Sequence, residues 1–284
     1  SPQGGAANWS SGFLPPHYQG TTLRAKGSPI LDLHPPAGIT RKHQRGNLDL
    51  LASLNRSHAA RHPSHDELAA RIESYELALR MQMQVPGILD SEKEKAATRE
   101  GYGLDDQRTA EFGRRCLLAR RPVENGVRFV QLFNGEYATA GQLNRDGHNK
   151  LREQYDVRGP RLDHPVAPLN RDLVQRGLLE KTRGVWCTEF GRMPMFQKGS
   201  KGRDHNPFGF SIWLAGGGVR NGIIYGATDE YGYHAVENRA TVYDLWATVL
   251  HQLGVDHRDL TYLHGGRDFR LTDVYGRVIK KILA

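Results

Sequence analysis

Gly184-Val185-Trp186-Cys187-Thr188-Glu189-Phe190-Gly191-Arg192 runs a β-prone stretch straight into an acid and an arginine. A Gly/Lys/Ser-rich loop follows, then Gly202-Arg203-Asp204-His205-Asn206-Pro207 and a second apolar run at 210–215. Two strands that each carry acid, Arg or His residues at one end predict an open α/β sheet. Ligands of such sheets bind outside the carboxyl ends of the strands. The pattern points to an enzyme-like domain with its site at those ends.

The flanks extend the same expectation. Residues 127–133 are rich in β-formers and read as a further strand, preceded by a helix over 109–124 that Asn125-Gly126 stops. Leu48, Leu51 and Leu54 stand at helical spacing over 47–59. Ser64-His65-Asp66-Glu67 has the form of a capping box for a helix carrying Leu68, Ile72, Tyr75 and Leu79 and ended by Pro86. Residues 91–106 read as a polar surface excursion. Asp163 is expected to cap a helix that Gly177 ends, and Thr241 with Asp244 to open another. Strands alternating with helices predict a mostly parallel central sheet flanked by helices. Residues 1–45, rich in Gly, Pro and His and lacking periodicity, read as an extended arm on a domain spanning 46–284.

At 284 residues and 38% hydrophobic, the chain can bury a sizeable core. No run of about 18 apolar residues occurs, so no membrane span is expected. The net charge of +8 is spread along the chain without interleaved aromatic platforms, which argues against nucleic acid and for a small anionic ligand. Two cysteines, Cys116 and Cys187, make no disulfide framework.

Three clusters have residue types suited to a metal. Asp146-Gly147-His148 lies in a loop, where a carboxylate and an imidazole two apart can turn to one ion or simply form a turn capped by the Asp. Glu189 either faces a crevice as a ligand or pairs with Arg192 or Arg203. His205 is a ligand with Asp204 orienting an imidazole ring behind the ligands, or a surface histidine beside a capping Asp204. Gly216-Gly217-Gly218 reads as a tight turn, and residues 266–274 as a structural pin whose alternating charges pair locally.

The chain resembles the domain-of-unknown-function family 1501, a bacterial family placed near the alkaline phosphatase and sulfatase superfamily. The resemblance rests on Phe112-Gly113-Arg114-Arg115-Cys116-Leu117, Glu189-Phe190-Gly191-Arg192-Met193-Pro194, Gly202-Arg203-Asp204-His205, Leu214-Ala215-Gly216-Gly217-Gly218 and Gly266-Arg267-Asp268-Phe269-Arg270. It implies an alkaline phosphatase-like α/β fold, here without its N-terminal strands and nucleophile, as in the C-terminal part of an exported protein. It also implies a divalent metal, zinc or calcium, on Asp146, His148, Glu189 and His205. Arg192 and Arg203 would clamp a phosphate or sulfate ester, a small anionic ester or a modified glycan. The rival expectation is a catalytically silent exported or surface-associated binding protein that keeps the fold. Two departures stand out: Phe190 replaces a ligating His, and Arg145 replaces a Trp.

Overall fold

In the computed structural model the described residues are 8–12, 14, 18–24, 27–30, 37–62, 73, 75–77, 79, 85, 87–134 and 146–284. The capping box at 64–67, Pro86 and Arg145 lie outside them. The chain divides into two compact units, Ser1–Tyr137 with Arg161–Leu169, and Ala138–Pro160 with Asn170–Ala284.

The regular elements described in the first unit are helices. Helix α1 (Arg41–Ala59) starts earlier than the leucine spacing predicts, because Thr40 caps it by accepting the His43 N–H. A short helix α2 (Ala96–Gly101) leads to α3 (Ala110–Glu124). The core is Tyr102, Phe112, Cys116 and Leu117, with Leu104, Leu132, Leu162, Val166 and Leu169 packed on it. Tyr102 belongs to the stretch read as a surface excursion, yet it is 1% exposed. Gly113 makes this possible: a Cβ there would run into the Tyr102 carbonyl oxygen. Residues 127–133 form no strand, and Val127 and Phe129 are exposed. Strand preference expresses packing against neighbouring strands, and among the described residues none pairs with this run.

Burial gives Cys116 an unusual thiol. It is fully inaccessible, and desolvation pushes its pKa up from 9.0 to about 12 despite the opposing charge of Arg115. The folded value is raised, so folding gains nothing from this group below pH 9 and loses stability as pH climbs from 9 towards 12, where only the unfolded chain ionises it. A thiol reagent near neutral pH should label exposed Cys187 and spare Cys116, although burial and Glu189 raise the Cys187 thiol as well. Cys116→Ala should flatten the alkaline decline in melting temperature. Equal labelling of both cysteines in the folded protein would refute this.

The second unit overturns the predicted α/β sheet. Strands β1 (Arg183–Trp186) and β4 (Trp213–Gly216) do pair, but antiparallel, with Val185 opposite Leu214. Its other ladders are also two-stranded and antiparallel: β2 (Gly191–Arg192) with β3 (His205–Asn206), β5 (Ala227–Thr228) with β6 (Ala235–Glu237), and β7 (Thr261–His264) with β8 (Arg267–Arg270). Among the described residues there is no parallel central sheet. The physical reason lies between β1 and β4. A parallel return needs a crossover of about a dozen residues or more, usually a helix. Here the intervening residues form the β2–β3 ladder and loops, with no helix, and the chain comes back antiparallel.

The helix expected to start at Asp163 is the later part of one helix, α4 (Leu151–Gln175), which continues through Pro160, Pro165 and Pro168. Its end is as expected, with Gly177 in the left-handed region just past the cap. Helix α5 (Val242–Gln252) opens with the Thr241–Asp244 capping box. Asp244 and Thr248 then accept the backbone N–H groups of Arg277 and Ile279 at 2.7 and 2.9 Å, which fastens the C-terminal run to α5. Gly216 to Gly218 form a turn packed so closely that a Cβ at Gly216 would strike the Thr182 carbonyl. Arg267 pairs with Asp273 at 2.7 Å within its own segment, as alternating charges allow.

Candidate metal centre

Three short pieces of backbone of the second unit build the site. The first is the turn at Asp146-Gly147-His148, closed by the His148 N–H on the Asp146 carbonyl at 2.6 Å. The second and third are β2 and β3, whose register sets Arg192 directly opposite His205. Residues directly opposite in an antiparallel pair project to the same face. Both side chains reach Asp146: Arg192 Nη2 lies 2.8 Å and His205 Nε2 2.9 Å from Asp146 Oδ1.

The loop joining β2 to β3 clamps onto the turn. The Arg203 N–H donates to the Gly147 carbonyl at 2.9 Å, and the Ser200 hydroxyl donates to the His148 carbonyl. Gly202 permits this contact, because a Cβ there would overlap the backbone of Gly147 and His148. The glycine of the Gly-Arg-Asp-His motif is thus required by a close backbone approach.

His148 completes the cluster. Its Nε2 is 3.1 Å from Asp146 Oδ1 and 3.0 Å from His205 Nε2, and its Nδ1 is 2.7 Å from Gln197 Oε1. Asp146 Oδ1, His148 Nε2 and His205 Nε2 therefore form a nearly equilateral triangle, and these three residues make one group able to hold an ion. Donors bound to one ion at about 2.0–2.2 Å stand about 2.9–3.5 Å apart, so the spacing fits. The chemistry fits as well. The Gln197 oxygen can only accept, so a hydrogen bond at this contact needs the proton on His148 Nδ1, and a neutral ring with its proton there has a lone pair on Nε2. That lone pair faces the lone pairs of Asp146 Oδ1, and a cation between them relieves the repulsion.

The remaining electrostatics favour an ionised Asp146. Partial burial pushes its carboxyl up, but hydrogen bonds from Arg192 and His205, with the charge of Arg192, outweigh burial and hold it below the usual carboxylate range.

Other residues singled out from the sequence fall differently. Glu189 is exposed, accepts a hydrogen bond from the Thr188 hydroxyl at 3.0 Å, and is not part of the triangle. Asp204 Oδ1 accepts the His205 N–H at 2.8 Å and stands 3.7 Å from His148 Nδ1, beyond hydrogen-bond reach. Arg192 grips Asp146 and also donates to the Arg203 carbonyl at 3.1 Å. Arg203 contributes its backbone. Phe190, which stands in place of a ligating His, stacks on the His205 ring at 3.9 Å between centroids. Gln197, Ser200 and the stacking of Phe190 had no signal in the sequence beyond their nearness to the motif.

No curated protein and no solved structure matches this chain. The family model described as a protein of unknown function, DUF1501, matches residues 1–283, and the chain belongs to that family.

Proposed function

We propose that this protein is a metal-dependent hydrolase of phosphate or sulfate esters, with Asp146, His148 and His205 as its metal ligands. The observation that carries the reading is the triangle of one carboxylate oxygen and two imidazole nitrogens, 2.9–3.1 Å apart. Two nitrogens and one oxygen suit a zinc-class ion better than calcium, which takes oxygen ligands. The order Asp…His…His follows the resemblance to alkaline phosphatases and sulfatases, and export and a phosphorylated or sulfated glycan substrate belong to the same proposal. A bound ion supplies polarisation of the ester oxygen and activation of the attacking group. Arg192 keeps Asp146 ionised and aimed, Phe190 holds the His205 ring by stacking, and Arg203 is the proposed clamp on the ester anion.

One observation favours a second reading, a metal-binding protein without turnover. Phe190 stands where the resemblance places a ligating His and stacks on the His205 ring, and Glu189 is engaged with Thr188. The test is metal analysis of purified protein after equilibration with zinc, followed by aryl phosphate and aryl sulfate turnover with and without chelator. Stoichiometric zinc with chelator-sensitive turnover is expected. Zinc without turnover selects the second reading, and absence of bound metal rejects both.

A further inference from the structure

We infer that Gln197 fixes the tautomer of His148, keeping the proton on Nδ1 and leaving Nε2 unprotonated towards Asp146 and His205. The consequence for zinc rests on the function proposed above; the control of the ring does not. Gln197 Oε1 lies 2.7 Å from His148 Nδ1, and an amide oxygen has no proton to give. The proton of that bond belongs to the ring. In the neutral imidazole the other nitrogen is then an acceptor, which is the form that ligates metals.

Gln197 is itself held where it must be. Its N–H donates to the Gly202 carbonyl at 2.9 Å, and its carbonyl accepts the Ser200 N–H at 3.1 Å. Ser200 in turn donates its hydroxyl to the His148 carbonyl. One turn thus grips His148 by ring and by main chain. Asp204, the residue the sequence nominates for orienting a ring, is committed to the His205 N–H and stops 3.7 Å from Nδ1. Gln197 acts through His148 and is a positioning residue.

Without the amide, the proton is free to move to Nε2, where Asp146 Oδ1 at 3.1 Å accepts it. The ligand nitrogen then becomes a donor, and an ion has to displace that proton. Metal-binding histidines generally have such a partner on the second nitrogen, and its loss typically costs about 10–100-fold in metal affinity.

The experiment is long-range proton–nitrogen NMR of the metal-free protein at about pH 8, where an ordinary imidazole is neutral. The His148 signals are identified by their loss in His148→Ala. Wild type should show the Nδ1–H tautomer, and Gln197→Ala the Nε2–H form or a mixture. Gln197→Glu should retain Nδ1–H, because a carboxylate also accepts. Zinc titration should show Gln197→Ala weakened by about 10–100-fold and Gln197→Glu no weaker than wild type. Circular dichroism checks that each variant is folded. An unchanged tautomer in folded Gln197→Ala, or a wild-type ring carrying its proton on Nε2, overturns the inference. A tautomer switch in a protein that takes no zinc supports the role of Gln197 and rejects the metal reading instead.

Discussion

Replacing His148 or His205 with alanine is expected to lower zinc affinity by well over the roughly 100-fold that losing an outer partner of a ligand can cost. Each variant removes one of three donors. The two that remain, an oxygen and one nitrogen, no longer surround an ion on three sides. Asp146→Asn should be as damaging for a different reason. Asp146 Oδ1 is the atom on which Arg192 Nη2, His205 Nε2 and His148 Nε2 all converge within 2.8–3.1 Å. Neutralising it leaves the Arg192 guanidinium, 15% exposed on its side chain, without that carboxylate charge and facing the bound cation. Glu189→Ala is the matched control and should bind zinc as wild type does, because its carboxylate lies with Thr188. Calorimetric titration of the four variants decides it. A Glu189 variant as weak as the histidine variants would move the ligand set and sink the triangle.

The largest expected loss of stability lies in the first unit. Arg120 is 2% and Glu94 9% exposed on their side chains, and they pair at 2.7 Å; Arg120 also reaches Glu124 at 2.5 Å, and Arg121 pairs with Glu94. Arginine cannot shed its charge in a folded protein. Glu94→Ala therefore takes a buried carboxylate away from the buried Arg120 cation and leaves the more exposed Glu124 beside it, which should cost about 3–5 kcal/mol. Arg120→Met replaces a charged chain by an apolar one of similar length and leaves Glu94 with Arg121, so it should cost less. The double variant should recover part of the Glu94→Ala loss. Urea unfolding of the three variants measures the differences; a Glu94→Ala loss below about 1 kcal/mol would show that the pair is no more than a surface contact.

Local structure was legible where one residue type dictates it. The Thr241–Asp244 box opens α5, and Gly177 follows the end of α4, as their chemistry requires. The turn at Gly216 to Gly218 likewise follows from local chemistry. Legibility failed where the outcome depends on a distant partner. Residues 127–133 and 184–188 look alike as β-formers, yet among the described residues only the second run finds a partner strand, in residues 213–216. Asp163 has the chemistry of a cap, but α4 already runs through it from Leu151.

The site divides along the same line. Sequence alone determined that Asp146, His148 and His205 have ligand chemistry, since carboxylate and imidazole are what such ions bind whatever the fold. It also determined the family, through motifs spread over the whole chain. Tertiary structure alone decided that these three meet and Glu189 does not. A ladder of two residue pairs sets Arg192 against His205, and a glycine with no Cβ lets the loop carrying His205 press onto the backbone carrying His148. Contacts between residues 57 positions apart depend on strand register and on the space a missing side chain leaves. Neither is written in the local pattern of residues, because both are set by the partner segment.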